Sequence, residues 1–236
     1  ELGVFEYEFS QPKTPIDFKL VASDIVSKPY RLNVLSTPVL LSFNLYLDYP
    51  SYTRKSDQKI VNNGNAMIPE GTKLKWKLRA KSTDTVAFSY KDKRQFFEKS
   101  DQKFQFTKQV FESLNYTIQT SNRKLKNYEN LAFSLQTIKD QMPTIKVEMK
   151  QDSTYQKSLY FYGQISDDYG INGLKLYYYP VADSDNIKEQ SLPANATPFQ
   201  EFTHVFPSNL ELIEDAAYAL YFEVSDNDPF HNNKTT

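Results

Sequence analysis

The feature that most limits what this chain can fold into is a hydrophobic period of two, repeated along almost its whole length. Val39, Leu41, Phe43, Leu45 and Leu47 occupy alternate positions, and Leu74, Trp76, Leu78 and Ala80 alternate with Lys73, Lys75, Lys77 and Arg79. Val86, Phe88 and Tyr90 repeat the pattern, as do Ile145, Val147 and Met149, and again Tyr218, Leu220, Phe222 and Val224. Side chains of an extended strand point alternately to opposite faces, so each run describes a strand with one buried and one wetter face. Phe104 and Phe106 continue the alternation, so the stretch to Leu114 reads as strand in preference to an amphipathic helix. Turn signals at Tyr49-Pro50, Asn63-Gly64-Asn65, Pro69-Glu70-Gly71, Asp168-Tyr169-Gly170 and Asp226-Asn227-Asp228-Pro229 separate the runs. Short alternating strands between such turns predict an all-β chain of antiparallel, immunoglobulin-like sandwiches.

The chain also resembles itself. An aromatic-led strand followed by a polar turn occurs at Phe18–Asp24, at Tyr116–Asn122 and at Tyr218–Asn227. The spacing is close to the roughly 100 residues of one immunoglobulin-like module. It divides the chain into 1–37, the remnant of a preceding β module, then 38–142, a whole sandwich, and 143–236, a second sandwich whose last strand is incomplete. Pro38 and Pro143 mark the connections, where proline withholds an amide donor and blunts a strand edge.

Composition narrows the function. The 28 basic and 29 acidic residues nearly cancel, which removes the electrostatic warrant for nucleic acid or an anionic membrane surface. Without cysteine, a disulfide scaffold, thiol catalysis and thiolate metal sites are excluded. Two histidines, six glycines and the absence of any G-x-S-x-G or H-E-x-x-H motif argue against an enzyme. The longest uncharged stretch, 32–47, is interrupted by Asn33, Ser36, Thr37, Pro38 and Asn44 and is too polar to span a bilayer. Because it begins at Glu1, the sequence reads as a piece of a longer protein, any signal or anchor lying outside it.

Four ordered segments carry a resemblance: Asp48-Tyr49-Pro50-Ser51-Tyr52-Thr53, Pro69-Glu70-Gly71-Thr72, Ser166-Asp167-Asp168-Tyr169-Gly170 and Phe222-Glu223-Val224-Ser225-Asp226-Asn227-Asp228. In this order and spacing they resemble the extracytoplasmic part of a family of large bacterial membrane-anchored proteins, catalogued as domain of unknown function 4175. The resemblance covers most of 15–236. It implies tandem sandwich modules held outside the cytoplasm, in the periplasm or envelope of a Gram-negative bacterium, and it implies no activity. The expected role is a non-catalytic spacer and scaffold, its partners other envelope proteins or neighbouring modules of its own chain.

Three sets of residues stand out as candidate sites. Asp167, Asp168, Asp226 and Asp228 fall at turns, where carboxylates from neighbouring loops can gather around calcium, although Asp and Asn at turns more commonly bond their own backbone. No other cofactor is expected. Tyr160, Tyr162, Tyr177 and Tyr179 are candidates for stacking on a glycan, which makes a glycan-binding module, or an accessory domain of a secreted enzyme, the alternative function. In runs of consecutive tyrosines half must face inward, so packing or an inter-module interface is the competing reading. The basic stretch Lys91–Lys108, diluted by Asp92, Glu98 and Asp101, reads as a solvated hairpin.

Overall fold

The structure is a computed structural model, and it describes residues 3–151 and 158–236. Among these residues there is no α-helix, only strands, turns and one 3-10 turn at Ser51–Thr53. The fold is all-β, built from several predominantly antiparallel sheets. Of the N-terminal residues 1–37, Glu1 and Leu2 lie outside the description. The rest forms four short strands, β1 (Ile16–Phe18), β2 (Val21–Ala22), β3 (Ile25–Val26) and β4 (Tyr30–Leu32).

The next strands are β5 (Val39–Asp48), β6 (Gln58–Val61), β7 (Ala66–Pro69), β8 (Thr72–Lys81) and β9 (Thr85–Tyr90). They continue as β10 (Lys93–Phe96), β11 (Glu98–Ser100), β12 (Lys103–Val110), β13 (Leu114–Ser121) and β14 (Asn130–Ile138). Two five-stranded sheets result, in the orders β10-β9-β13-β14-β7 and β11-β12-β8-β5-β6. The remaining strands are β15 (Thr144–Gln151), β16 (Leu159–Ser166), β17 (Ile171–Pro180), β18 (Lys188–Leu192), β19 (Phe199–Phe206) and β20 (Tyr218–Asp226). These give two three-stranded sheets, β15-β16-β19 and β18-β17-β20. Pro38 immediately precedes β5 and Pro143 immediately precedes β15.

The chain separates into two compact units, one of residues 1–43, 78–105 and 116–132, the other of residues 44–77, 106–115 and 133–236. In the first, β1 pairs with β4 and β2 with β3, and Phe18 stacks on Tyr30 while Phe9 meets Phe18 at a tilt. Its core holds Leu78, Ala80, Val86, Phe88, Phe104, Tyr116 and Ile118, with the Phe88 and Tyr116 rings stacked at 4.7 Å. The Lys91–Lys108 segment is a pair of hairpins whose Phe97 and Phe104 are buried while Phe96 is exposed. Alternation along the strand thus sends the phenylalanines to opposite faces.

In the second unit, Leu45, Leu47, Ile68, Leu74, Trp76 and Leu135 are fully enclosed, as the alternation of β5 and β8 requires. Between the three-stranded sheets, Phe161, Ile165, Leu174, Leu176, Tyr178, Phe202, Phe206 and Val224 form the core. Met149 and Val147, expected on a buried face, are exposed. Strand β15 is an edge with a single neighbour, and only Ile145 packs against the core. Against the antiparallel expectation, β7 runs parallel to β14, with Pro69 opposite Ile138.

Gly163 leaves no room for a side chain in the core. A Cβ there would run into the Phe202 ring, which packs across β16 onto the glycine. Gly163→Ala should therefore cost about 1–3 kcal/mol through overpacking. Pairing it with Phe202→Leu should recover part of that loss. Urea denaturation of the two variants measures both, and an unchanged midpoint for Gly163→Ala would show that the ring is free to shift.

Candidate functional site

The parallel ladder between β7 and β14 sets the geometry of a buried charged cluster in the second unit. Because Pro69 lies opposite Ile138, the next residues of both strands leave the sheet side by side. Glu70, 2 % exposed, donates its N–H to Ile138 O (3.0 Å). Its carboxylate accepts from Lys139 Nζ (2.8 Å) and from the Asp140 N–H (3.0 Å). Gly71 has φ +78°, a conformation glycine adopts at little cost, and the Phe230 ring occupies the space where a side chain would begin.

The other half is made by the end of β20. Asp226 Oδ1 accepts the N–H of Asp228 (3.1 Å), and Asp228 Oδ1 accepts the N–H of Phe230 (2.8 Å). These two side-chain turns bend the chain back on itself. Val224 and Thr236 then exchange both backbone hydrogen bonds at 3.1 Å, and the Asp226 N–H donates to Lys234 O at 3.0 Å. The returning segment delivers the Lys234 ammonium among the carboxylates. Nζ donates to Asp140 Oδ2, to Asp140 O (3.0 Å) and to Asp228 Oδ2 (3.2 Å), and stands 4.0 Å from Asp226 Oδ2. His231 Nδ1 bonds the same Asp228 Oδ2.

Asp226 and Asp228 are fully buried, and Asp140 and Glu70 nearly so. Burial, then a proton shared with Asp140 and that group's charge, pushes the Asp226 carboxyl up to about 6; Asp140 is raised too, chiefly by burial. Asp228 and Glu70 go the other way. Burial raises both, but hydrogen bonds from His231, Phe230 N–H and Lys234 outweigh it at Asp228, and those from Lys139 and Asp140 N–H outweigh it at Glu70. Lys234 is held above its ordinary value by Asp140 and Asp228 despite its desolvation. The hydroxyl of buried Tyr52 has no hydrogen-bond partner. Burial, followed by the charges of Asp228, Asp140 and Glu70, raises the Tyr52 hydroxyl.

The structure treats the acidic candidates unequally. Asp226 and Asp228 lie in the cluster. Asp167 closes its own turn, its Oδ2 accepting from Tyr169 N–H (3.0 Å) and Gly170 N–H (2.7 Å). Asp168 is exposed, and its carboxyl is raised by partial desolvation and then by the charges of Asp140 and Asp167. Among the described residues, two sets of side chains are spaced to hold a metal ion: Asp140 with Asp226 and Asp228, and Glu70 with Asp228 and His231. Glu70, Asp140, His231 and Lys234 were not candidates from sequence. Glu70 and Lys234 sit in or beside segments already conspicuous there, whereas Asp140 gives no local signal beyond its place before Pro143.

The tyrosines divide as alternation demands. Tyr160 and Tyr162 lie on the outer face of β16, opposite Lys150 and Glu148 of β15, and line a shallow groove with Thr203 and Val205. Tyr177 is half-buried and stacked on Tyr221 at 5.0 Å, its hydroxyl 3.3 Å from Glu223 Oε1; Tyr179 is half-buried opposite Ala219. The two pairs belong to different sheets and form no common platform.

No family model and no curated protein matches the sequence. Among solved structures, a chimeric titin Z1Z2–Z1Z2 tandem functionalised with a GRGDS peptide from fibronectin aligns with 73 % of this chain and 90 % of its own, at 9 % identity and a TM-score of 0.28. So distant a likeness carries no argument about this chain.

Asp226 makes the cluster sensitive to pH. A carboxyl whose folded pKa is raised contributes stability while protonated, and loses that contribution as pH rises from its unfolded value, near 3.8, through about 6. Glu70 and Asp228, lowered on folding, act oppositely and lose their contribution as pH falls. Asp226→Asn keeps the acceptor for the Asp228 N–H and removes the ionisation. In chelator, it should gain about 1–3 kcal/mol over the wild type above pH 6.5 and nothing near pH 4. Glu70→Ala should cost about 1–3 kcal/mol at pH 7 by leaving the buried Asp140 amide without its acceptor, since the exposed Lys139 can turn to solvent. Thermal melts across pH 4–8 measure both, and a pH-independent gain for Asp226→Asn would rule out the raised carboxyl.

Proposed function

We propose that this chain is a non-catalytic, extracytoplasmic part of a larger bacterial envelope protein, serving as spacer and protein-interaction scaffold. An all-β fold of antiparallel sheets fits a scaffold or spacer module. The observation that carries the proposal is what the conspicuous ionisable residues do. Glu70, Asp140, Asp226 and Asp228 are enclosed and spent on holding loops and tail to one another, not displayed in a cleft. Charge used in this way stiffens a module, as a spacer needs. The resemblance noted in the sequence supports the envelope location, and its four segments supply Tyr52, Glu70, Asp167, Asp226 and Asp228 to this one region. In this reading residues 1–37 belong to a preceding module, with Pro38 and Pro143 marking the joins. The partners are then neighbouring modules or other envelope proteins, with neither nucleic acid nor direct membrane insertion involved.

Protease treatment of the native bacterium tests the location. The parent protein should be cut in spheroplasts and spared in intact cells, and recovery in the cytoplasmic fraction would contradict the proposal. Glycan recognition is the second reading, favoured by the exposed Tyr160 and Tyr162 side by side in their groove. A glycan array on the purified chain should stay silent under the scaffold reading. Binding abolished by Tyr160→Ala together with Tyr162→Ala would replace it.

A further inference from the structure

The Lys234 ammonium sits where a metal ion would. Its neighbours are all oxygens, contributed by three separated positions in the chain: Asp140 through side chain and carbonyl, Asp226, and Asp228. Hard cations such as calcium accept six to eight oxygen ligands in irregular geometry. The three carboxylates are already gathered, with oxygens within 4.8 Å of one another.

Two further observations point to a cation beyond Lys234. The first is unused coordinating capacity. The hydroxyl of Tyr52, on a residue more than nine-tenths buried and close enough to feel the charges of Asp228, Asp140 and Glu70, has no hydrogen-bond partner. Buried polar atoms are nearly always satisfied, so an unpartnered hydroxyl beside gathered carboxylates calls for a ligand. The second is charge. Glu70, Asp140, Asp226 and Asp228 are four carboxylates, against the two ammonium groups of Lys139 and Lys234 and the imidazole of His231. One monovalent ammonium under-compensates three of them, and a divalent ion at its position would reduce that excess by one charge.

We propose that Asp140, Asp226 and Asp228 form a calcium site for which Lys234 is a tethered competitor. With Lys234 seated, the segment 233–236 is pinned along β20 through the Val224–Thr236 pair. When calcium enters, the ammonium is expelled and turns to solvent, and the pinned segment loses its side-chain anchor. The site therefore couples calcium level to the hold on this end of the chain. Its ligands differ from those the acidic turns implied: Asp140 joins, while Asp167 and Asp168 remain outside.

Calcium titration of the 236-residue chain by calorimetry, followed by amine-reactive labelling of its lysines with and without calcium chloride, tests the exchange. Calcium should bind, and Lys234 labelling should rise about fivefold or more while Lys139 stays unchanged. Lys234→Met, which removes the competitor without adding charge, should bind calcium at least about tenfold tighter, because a site blocked most of the time has its apparent affinity reduced by the open fraction. Asp226→Asn combined with Asp228→Asn should abolish binding. The proposal is overturned if calcium does not bind the wild type, or if it binds with no change in Lys234 labelling. Equal calcium affinity in a folded Lys234→Met variant would overturn it as well. Should that variant not fold, labelling of the wild type decides alone.

Discussion

The second unit is organised around the burial of four carboxylates near two lysines. Taking charges out of water costs several kcal/mol each, and mutual attraction offsets this only where geometry is good and the remaining hydrogen bonds are made. Here most of them are. Glu70 is met by Lys139 and a backbone amide, Asp228 by His231, Lys234 and a backbone amide, and Asp140 by Lys234. The Glu70–Lys139, Glu70–Asp140 and Asp140–Lys234 contacts join segments far apart in sequence, so the cluster fixes which loop lies against which. Apolar packing alone, being non-directional, would not specify that.

Backbone geometry comes first, and the charges follow it. The parallel pairing of β7 with β14 brings Glu70 to Lys139 and Asp140, and the two aspartate turns after β20 return Lys234 to them. Gly71 and Phe230 fit together at the same place, the ring filling the volume a side chain would need. Tyr52 packs edge-on against both Tyr169 and Phe230, which encloses the cluster in aromatic surface and lowers the local polarity.

The strands were legible in the sequence because alternation is a local signal. Leu74, Trp76 and Leu78 are buried as their spacing requires, and Phe104–Val110 is a strand. Val147 and Met149 show the limit: alternation predicts two faces without saying that both end in solvent on an edge strand. Asp226 and Asp228 were visible as an acidic turn, but Asp140 and Glu70 join them through a parallel ladder between strands about 70 residues apart, and nothing local encodes that register. Lys234 was hidden for a related reason. A lysine in a polar tail reads as solvated until the turns that fold the tail back are known.

If the cluster is one cooperative element, its members should open together. Native-state hydrogen exchange of the amides of Asp140, Asp226, Asp228 and Thr236, each donating within or beside the cluster, measures this directly. The expected result is one shared opening free energy at low denaturant, lowered equally at all four amides by Glu70→Ala. If instead the Asp226 and Thr236 amides open far more readily than that of Asp140, and Glu70→Ala affects Asp140 alone, the tail and the Glu70 turn are independent and the cluster does not hold the unit together.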